Sequence, residues 1–359
     1  MISNLVYKAV RPAVFKMDPE DAHGFTIKAL KTGMIRNCSV TKSERLEQEI
    51  FGLKFSNPVG LSAGFDKNAE VISPALKLGF GFTEVGTVTP LPQGGNPRPR
   101  IFRDPANNAV INRMGFPNGG VRVFRPNLEK FLNSSSKPAG VVGINIGMNK
   151  TQENPAEDYC ALIKELSPLA DYLTVNISSP NTPGLRNLQE KGPLSELITE
   201  MKKALSDTCP DNAPALLIKL APDLNEQQQE EIAGVLMDTG VNGVILSNTT
   251  LDRPDYLSEG FKDEIGGLSG APVREKSTAI IRNFYKRTEG KLPIIGVGGI
   301  SNAEHAYEKI KAGATLVQLY SGMIYEGPSI ASNINKELIE LLDRDGYTNI
   351  SEAIGQENA

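Results

Sequence analysis

Short apolar runs alternate with amphipathic stretches along most of this chain, and that rhythm predicts its elements. Strand-like runs begin at Pro58-Val59-Gly60-Leu61, Phe82-Thr83-Glu84-Val85, Val141-Val142-Gly143-Ile144, Tyr172-Leu173-Thr174-Val175, Ala215-Leu216-Leu217-Ile218, Gly243-Val244-Ile245-Leu246, Pro293-Ile294-Ile295-Gly296-Val297 and Thr315-Leu316-Val317-Gln318-Leu319. Helical spacing fills the intervals near 68–78, 119–132, 156–167, 194–206, 225–238, 273–287 and 302–311, with a last helix from about 328 to 342. Near-continuous apolar strands separated by helices mark a parallel sheet covered on both faces. Eight such units favour an α/β fold closed into a (β/α)8 TIM barrel over an open doubly wound sheet. A hairpin-like pair near 47–51 and 53–55 turns at Gly52 ahead of the first barrel strand. Residues 88–117 are too long for an ordinary βα connection and read as a lid or a substrate-binding excursion. Residues 251–271 form a second long loop, ending Gly266-Gly267-Leu268-Ser269-Gly270.

The barrel is preceded by a small N-terminal two-helix extension. Ile2, Leu5, Val6, Ala9 and Val10 recur at helical spacing beside Lys8 and Arg11, until Pro12 interrupts the pattern. The second helix has a clear start, with Asp18 as N-cap, Pro19 at the first position and Glu20 and Asp21 in the first turn. His23, Ile27 and Leu30 share one face, and Gly33 ends the helix. Two readings stay open for residues 1–34: a cap packed on the main domain, or an apolar patch that touches a membrane or an apolar ligand. The chain thus divides into a helical segment and linker (1–45), the barrel (46–346) and a polar tail (347–359) expected to fray.

Composition narrows the function classes. Hydrophobic residues at 40% and charged residues at 22% fit a soluble globular protein. A formal net charge of −4 without a long basic block argues against nucleic-acid binding. Cys38, Cys160 and Cys209 lie far apart, without metal-type spacing, as isolated thiols of a reducing compartment. His23 and His305 are the only histidines, which nearly excludes a His-based zinc site or a Ser-His-Asp triad. No apolar run is long enough to span a bilayer, and the N-terminus lacks the core of a secretory signal.

In a barrel the residues that follow the strands face the active site. In order these are Ala63-Gly64-Phe65-Asp66-Lys67, Gly86-Thr87, Asn145 with Gly147, the loop 176–184, Lys219, Ser247-Asn248-Thr249-Thr250, Gly298-Gly299 and Tyr320-Ser321-Gly322. The loop Asn176-Ile177-Ser178-Ser179-Pro180-Asn181-Thr182-Pro183-Gly184 is the densest in short polar groups, and its prolines stiffen it. Glycines after the seventh strand, with Ser321-Gly322 after the eighth, match a phosphate cradle of backbone N–H groups. Lys67 and Lys219 at the barrel mouth suit an anion. Several amides facing one pocket suit a flat ring rich in donors and acceptors.

At these residues the chain resembles the dihydroorotate dehydrogenases. The resemblance rests on AGFDK at 63–67, NRMGF at 112–116, GINIG at 143–147, NISSPNTPGLR at 176–186, NTT at 248–250, GGLSG at 266–270, IIGVGGI at 294–300 and LYSG at 319–322. It runs through almost the whole chain. DPEDAH at 18–23 and the serine at 179 are similar to the quinone-dependent, membrane-associated class 2; the soluble class carries a cysteine at the base position. The resemblance implies FMN held by Ala63, Gly64, Lys67, Thr87, Asn145, Asn176, Lys219, Ser247, Gly270, Gly299, Tyr320 and Ser321. It implies dihydroorotate held by Lys67, Asn112, Arg113, Met114, Gly115, Phe116, Asn176, Asn181, Asn248 and Thr249, with Ser179 as the base. His23, Arg113 and Tyr320 match positions near the family's quinone tunnel. Pro117 stands where many relatives have Asn, and Ser62 where Ala is common; the first is expected to stiffen the lid and the second to be harmless.

The implied reaction removes a proton from carbon 5 and a hydride from carbon 6 of dihydroorotate, with a membrane quinone as final electron acceptor in UMP synthesis. Lys67 answers the substrate carboxylate, the asparagines answer its ring amides, and Lys219 answers charge on the flavin. A serine is a poor base at neutral pH, so Ser179 is expected to sit in a dry site and pass its proton on through Thr182 and a water beside Phe116. The expected location is peripheral, on the cytoplasmic face of a bacterial inner membrane. Two other readings remain: another FMN barrel oxidoreductase, such as a hydroxy-acid oxidase needing a histidine on the barrel face, and a non-enzymatic membrane-docking protein.

Overall fold

The apolar runs become strands buried on both faces. A computed structural model of the chain describes residues 4–35, 38 and 41–358, with side chains from Tyr7 onward. Ile2 lies outside the described residues, as do the side chains of Leu5 and Val6. In chain order the first half comprises α1 (Asn4–Val14), α2 (Pro19–Lys31), β1 (Gln48–Ile50), β2 (Leu53–Phe55), β3 (Val59–Leu61), α3 (Ile72–Leu76), β4 (Phe82–Val88), β5 (Ile101–Asp104), β6 (Ala109–Asn112), α4 (Val121–Leu132), β7 (Val141–Ile146), α5 (Pro155–Leu166) and β8 (Tyr172–Asn176). The second half comprises α6 (Lys191–Thr208), β9 (Ala215–Leu220), α7 (Glu226–Thr239), β10 (Gly243–Leu246), β11 (Gly267–Gly270), α8 (Arg274–Arg287), β12 (Ile294–Val297), α9 (Ala303–Lys311), β13 (Leu316–Leu319), α10 (Ser321–Glu326) and α11 (Ile330–Asp345).

Among the described residues, eight strands close a barrel in the order β10-β12-β13-β3-β4-β7-β8-β9, every neighbouring pair parallel. The β1–β2 hairpin packs Ile50 and Phe55 against the first residues of the strands and plugs that end. The plug depends on glycine: a Cβ at Gly60 would fall within the Phe82 ring, and one at Gly143 within the Tyr172 ring. The other end of the barrel is left for the site.

Three expectations need correction. Residues 251–271 are not a plain loop, because β11 pairs antiparallel with β6, and the excursion at 88–117 supplies β5 and β6 of the same three-stranded sheet. Pro12 does not end the first helix, since it falls in the last turn of α1 and costs only one terminal hydrogen bond. Arg11 is tied to the barrel side, donating to the Tyr325 carbonyl at 2.9 Å. The polar tail does not fray. Ile350 and Ala353 are fully buried, Asn349 donates to the Glu44 carbonyl (3.0 Å), and Gly355 N donates to the Ile310 carbonyl (3.1 Å). Two small apolar anchors and these hydrogen bonds dock it.

The N-terminal helices lean on the open end of the barrel. Asp18 caps α2 by accepting from the Glu20 and Asp21 amides. Glu20 pairs with Arg100 at 2.6 Å and Lys31 with Glu70 at 2.6 Å, while Ala22, Ala29 and Leu30 are buried.

Candidate active site

The strand β4 carries one carboxylate into the barrel, and the site is built on it. Glu84 is fully buried and accepts from Asn145 Nδ2 (2.8 Å), Gln318 Nε2 (3.0 Å), Thr174 Oγ1 (3.1 Å) and the Tyr172 hydroxyl (3.2 Å). Lys219 Nζ lies 3.7 Å from it. Burial pushes the Lys219 pKa down and the Glu84 charge opposes that shift. Such a pair holds in a dry interior only because hydrogen bonds satisfy the remaining lone pairs. Lys219 also donates to Ser62 Oγ at 3.3 Å, a contact that alanine at this position would lack.

Above this floor the amides lock one another. Thr87 Oγ1 donates to Asn145 Oδ1 (2.5 Å), and Asn176 Nδ2 donates to Thr87 Oγ1 (3.0 Å) and Asn145 Oδ1 (3.2 Å). Asn248 Nδ2 donates to Ser178 Oγ (2.9 Å), whose own hydroxyl donates to Asn176 Oδ1 (3.0 Å). Donors and acceptors are therefore aimed in advance of any ligand. Ser179, 6% exposed, accepts from Asn181 N at 3.2 Å, and Asn181 Nδ2 reaches across to the Asn112 carbonyl (3.1 Å) of β6.

Lys67 donates to the Gly64 carbonyl at 2.6 Å and lies 3.4 Å from His23 Nε2. Burial pushes its pKa down to about 8. Burial, then the Lys67 charge, pushes His23 down to about 3, so the imidazole is neutral at physiological pH. His23 Nδ1 faces the Tyr320 hydroxyl at 3.4 Å, and its ring meets Phe65 edge-on at 5.4 Å.

At the opposite side, β12 gives way to Gly298 (φ 124°) and Gly299 (φ 71°), a left-handed turn that only glycine adopts freely. A Cβ at Gly299 would strike Arg274, which keeps this backbone bare. Ser321 Oγ lies 2.9 Å from Ser269 Oγ on β11.

One cavity of about 490 Å³ joins these parts. It is lined by Ala63, Gly64, Lys67, Thr87, Asn112, Met114, Gly115, Phe116, Asn176, Ser179, Asn181, Lys219, Ser247, Asn248, Thr249, Gly270, Gly299, Tyr320 and Ser321. It continues between the N-terminal helices, past Val10, Ala22, His23 and Phe25. Asn145 lies outside the lining, behind Thr87. Arg113 is not brought in either. It follows Asn112, which lines the cavity, so strand alternation turns it outward, onto Glu264 (2.6 Å) and the Phe102 ring (4.5 Å). His305 sits on α9, bonded to Arg274 (2.5 Å) and Ser301 (3.1 Å), away from the cavity a hydroxy-acid oxidase would need it to face.

Sequence reading passed over Glu84, Arg103 and Ser269. Glu84 carried a signal, a carboxylate within an apolar strand. Arg103 lines the cavity and donates to the Phe15 (3.2 Å) and Met17 (2.5 Å) carbonyls, contacts that no local pattern announces.

A model of the family described as dihydroorotate dehydrogenase matches residues 45–342. The protein named dihydroorotate dehydrogenase (quinone) in Rhodospirillum rubrum is 47% identical over 352 residues, covering 98% of this chain and 95% of the relative. The protein of that name in Allorhizobium ampelinum is 49% identical over 344 residues, covering 95% and 94%. The crystal structure of DHODH from Eimeria tenella in complex with ferulenol superposes with a TM-score of 0.91 at 40% identity, covering 97% of this chain and 99% of that one. With the fold, the match over most of the barrel and these identities in agreement, the chain is an oxidoreductase and belongs to the dihydroorotate dehydrogenase family.

Proposed function

We propose that this enzyme oxidises (S)-dihydroorotate to orotate, using FMN as hydride acceptor and a membrane quinone as final electron acceptor, as a step of UMP synthesis. The observation that carries the reading is one continuous cavity, which joins a polar floor at the barrel to an apolar mouth between α1 and α2. Its residues fit FMN. Lys219, Asn176 and Thr87 offer a charge and fixed amide and hydroxyl groups to a flat ring, and the bare Gly298-Gly299 turn with Ser321 offers small residues to a phosphate. Ala63, Gly64, Ser247, Gly270 and Tyr320 complete the cofactor's walls, with Asn145 holding Thr87 and Asn176 from behind.

FMN, when bound, supplies a hydride acceptor for carbon 6 and a carrier of two electrons to the quinone. The chain does the rest. Lys67 meets the substrate carboxylate. Asn112, Asn181, Asn248 and Thr249, with Met114, Gly115 and Phe116 over them, orient the ring. Ser179 takes the carbon 5 proton. We leave Arg113 outside the substrate and quinone sites, because its guanidinium is paired with Glu264. His23 and Tyr320 flank the quinone path, with neutral His23 fitting an uncharged ligand. No helix among the described residues is long and apolar enough to cross a membrane. Attachment is therefore proposed as peripheral, through α1 and α2, at the cytoplasmic face of a bacterial inner membrane.

The purified protein is expected to be yellow, and to bleach on anaerobic addition of dihydroorotate. An absorption spectrum checks this; turnover by protein free of flavin overturns the reading.

Lys67→Ala is expected to weaken orotate binding by ~1.5–3 kcal/mol, the worth of a charged hydrogen bond. The pH dependence has a definite sign. The lysine is charged below its pKa of about 8, so affinity falls as pH rises through that value. A titration of orotate from pH 6.5 to 9.5 should show the fall in the native enzyme and a flat profile in Lys67→Ala. Equal profiles refute the contact.

A further inference from the structure

Arg186 touches no proposed ligand, yet its guanidinium lies between two loops that do. Its Nε donates to the Ser178 carbonyl at 2.9 Å, one residue before Ser179. Its Nη2 donates to the Thr249 carbonyl at 2.9 Å, at the end of the Asn248-Thr249 pair. Its Nη1 donates to Asp223 Oδ2 at 2.9 Å, on the loop after β9. Asp223 is itself fixed. Lys276 donates to it at 2.7 Å, Leu251 N at 3.0 Å, and the Thr250 hydroxyl also donates to it. Arg186 and Asp223 side chains are 20% and 17% exposed, so this is not a solvated pair free to open. A guanidinium is planar, with its donors set in a rigid fork. Three contacts made through that fork fix the mutual position of three loops at the barrel mouth.

We propose that Arg186 is a positioning residue for proton removal: by clamping the Ser178 and Thr249 carbonyls it fixes the Ser179 hydroxyl against the substrate edge held by Asn248 and Thr249. The proposal rests on the reading of Ser179 as the base. A displacement of that hydroxyl by about 1 Å slows proton transfer by on the order of 10²-fold while binding survives.

The test uses full-length, FMN-loaded Arg186→Ala, Ser179→Ala and the double variant. Flavin reduction is followed in single turnovers, with ordinary and carbon 5-deuterated dihydroorotate. Arg186→Ala should be slower by about 10–10²-fold, with a larger carbon 5 isotope effect and an unchanged carbon 6 effect. The double variant should be no slower than Ser179→Ala alone. Arg186→Lys keeps a charge beside Asp223 but cannot span both carbonyls, so it should be slow too, and it carries the same test if the alanine variant loses FMN. Native speed in both Arg186 variants overturns the clamp, as does a double variant in which the two losses multiply. Native speed in Ser179→Ala overturns the base reading first, and the route through Ser179 with it, whereas a slow Ser179→Ala beside a fast Arg186→Ala overturns the clamp alone.

Discussion

Replacing Ser179 by alanine should slow flavin reduction by ~10²–10⁴-fold, the usual worth of a general base, while orotate still binds. The hydroxyl is poorly suited to the task by its own chemistry, so its surroundings must supply what it lacks. Ser179 is 6% exposed, and its loop is stiffened by Pro180 and Pro183. The Asn181 amide donates to its oxygen at 3.2 Å, leaving the hydroxyl proton free to be handed on. Thr182, 4% exposed, lies three residues further along the same loop as the next hydroxyl. The substrate loops around it are bonded to one another before any ligand arrives, through Asn248 to Ser178 and Asn181 to Asn112. Alanine removes the oxygen and little else, so binding groups stay where they are. Stopped-flow mixing with dihydroorotate under anaerobic conditions measures the effect, and orotate titration checks that the site is intact. Reduction at near-native rate in Ser179→Ala would remove this residue from the chemistry.

The barrel was legible because each of its strands is buried on both faces and so reads as an apolar run. The phosphate-side glycines and the asparagine-rich loop were legible because strand ends converge in a barrel, whichever strand they follow. What stayed hidden depended on long-range pairing. Ile101-Phe102-Arg103-Asp104 shows neither alternation nor a continuous apolar run, and Gly267–Gly270 holds two glycines in four residues. Both become strands only because β6 lies between them. Ile350 and Ala353 look incidental in a polar tail until α9 and the linker offer them a groove. Arg113 and Asn112 sit side by side in the motif, but at the end of β6 Asn112 lines the cavity while Arg113, the next residue, turns to Glu264. Glu84 could be noticed as odd, but not as the anchor of Lys219, 135 positions later in sequence on β9.

Turning the exposed apolar residues of the N-terminal helices to carboxylates should separate the two half-reactions. Deleting residues 1–34 would remove the Glu20–Arg100 pair and uncover the contacts of Ala29 and Leu30, so loss of fold would obscure the result. Val10 and Phe25 are each 48% exposed and line the mouth of the cavity. Because half of each side chain already meets solvent, Val10→Glu with Phe25→Glu costs little folding stability. Sinking those exposed halves into lipid is worth about 1 kcal/mol each, and a carboxylate there opposes insertion. The basic residues nearby add attraction to anionic headgroups, with Lys8, Lys16 and Lys28 all exposed. Partitioning to anionic liposomes should therefore fall by about 10–10²-fold in the double variant. Reduction of FMN by dihydroorotate should stay within about 2-fold of native, because neither side chain reaches the barrel floor. Turnover with a long-tailed quinone held in liposomes should fall with the partitioning, while a short, water-soluble quinone should still be reduced at near-native rate. Equal turnover of the liposomal quinone by native and variant enzyme would leave α1 and α2 as a structural cap, with the quinone arriving by another path.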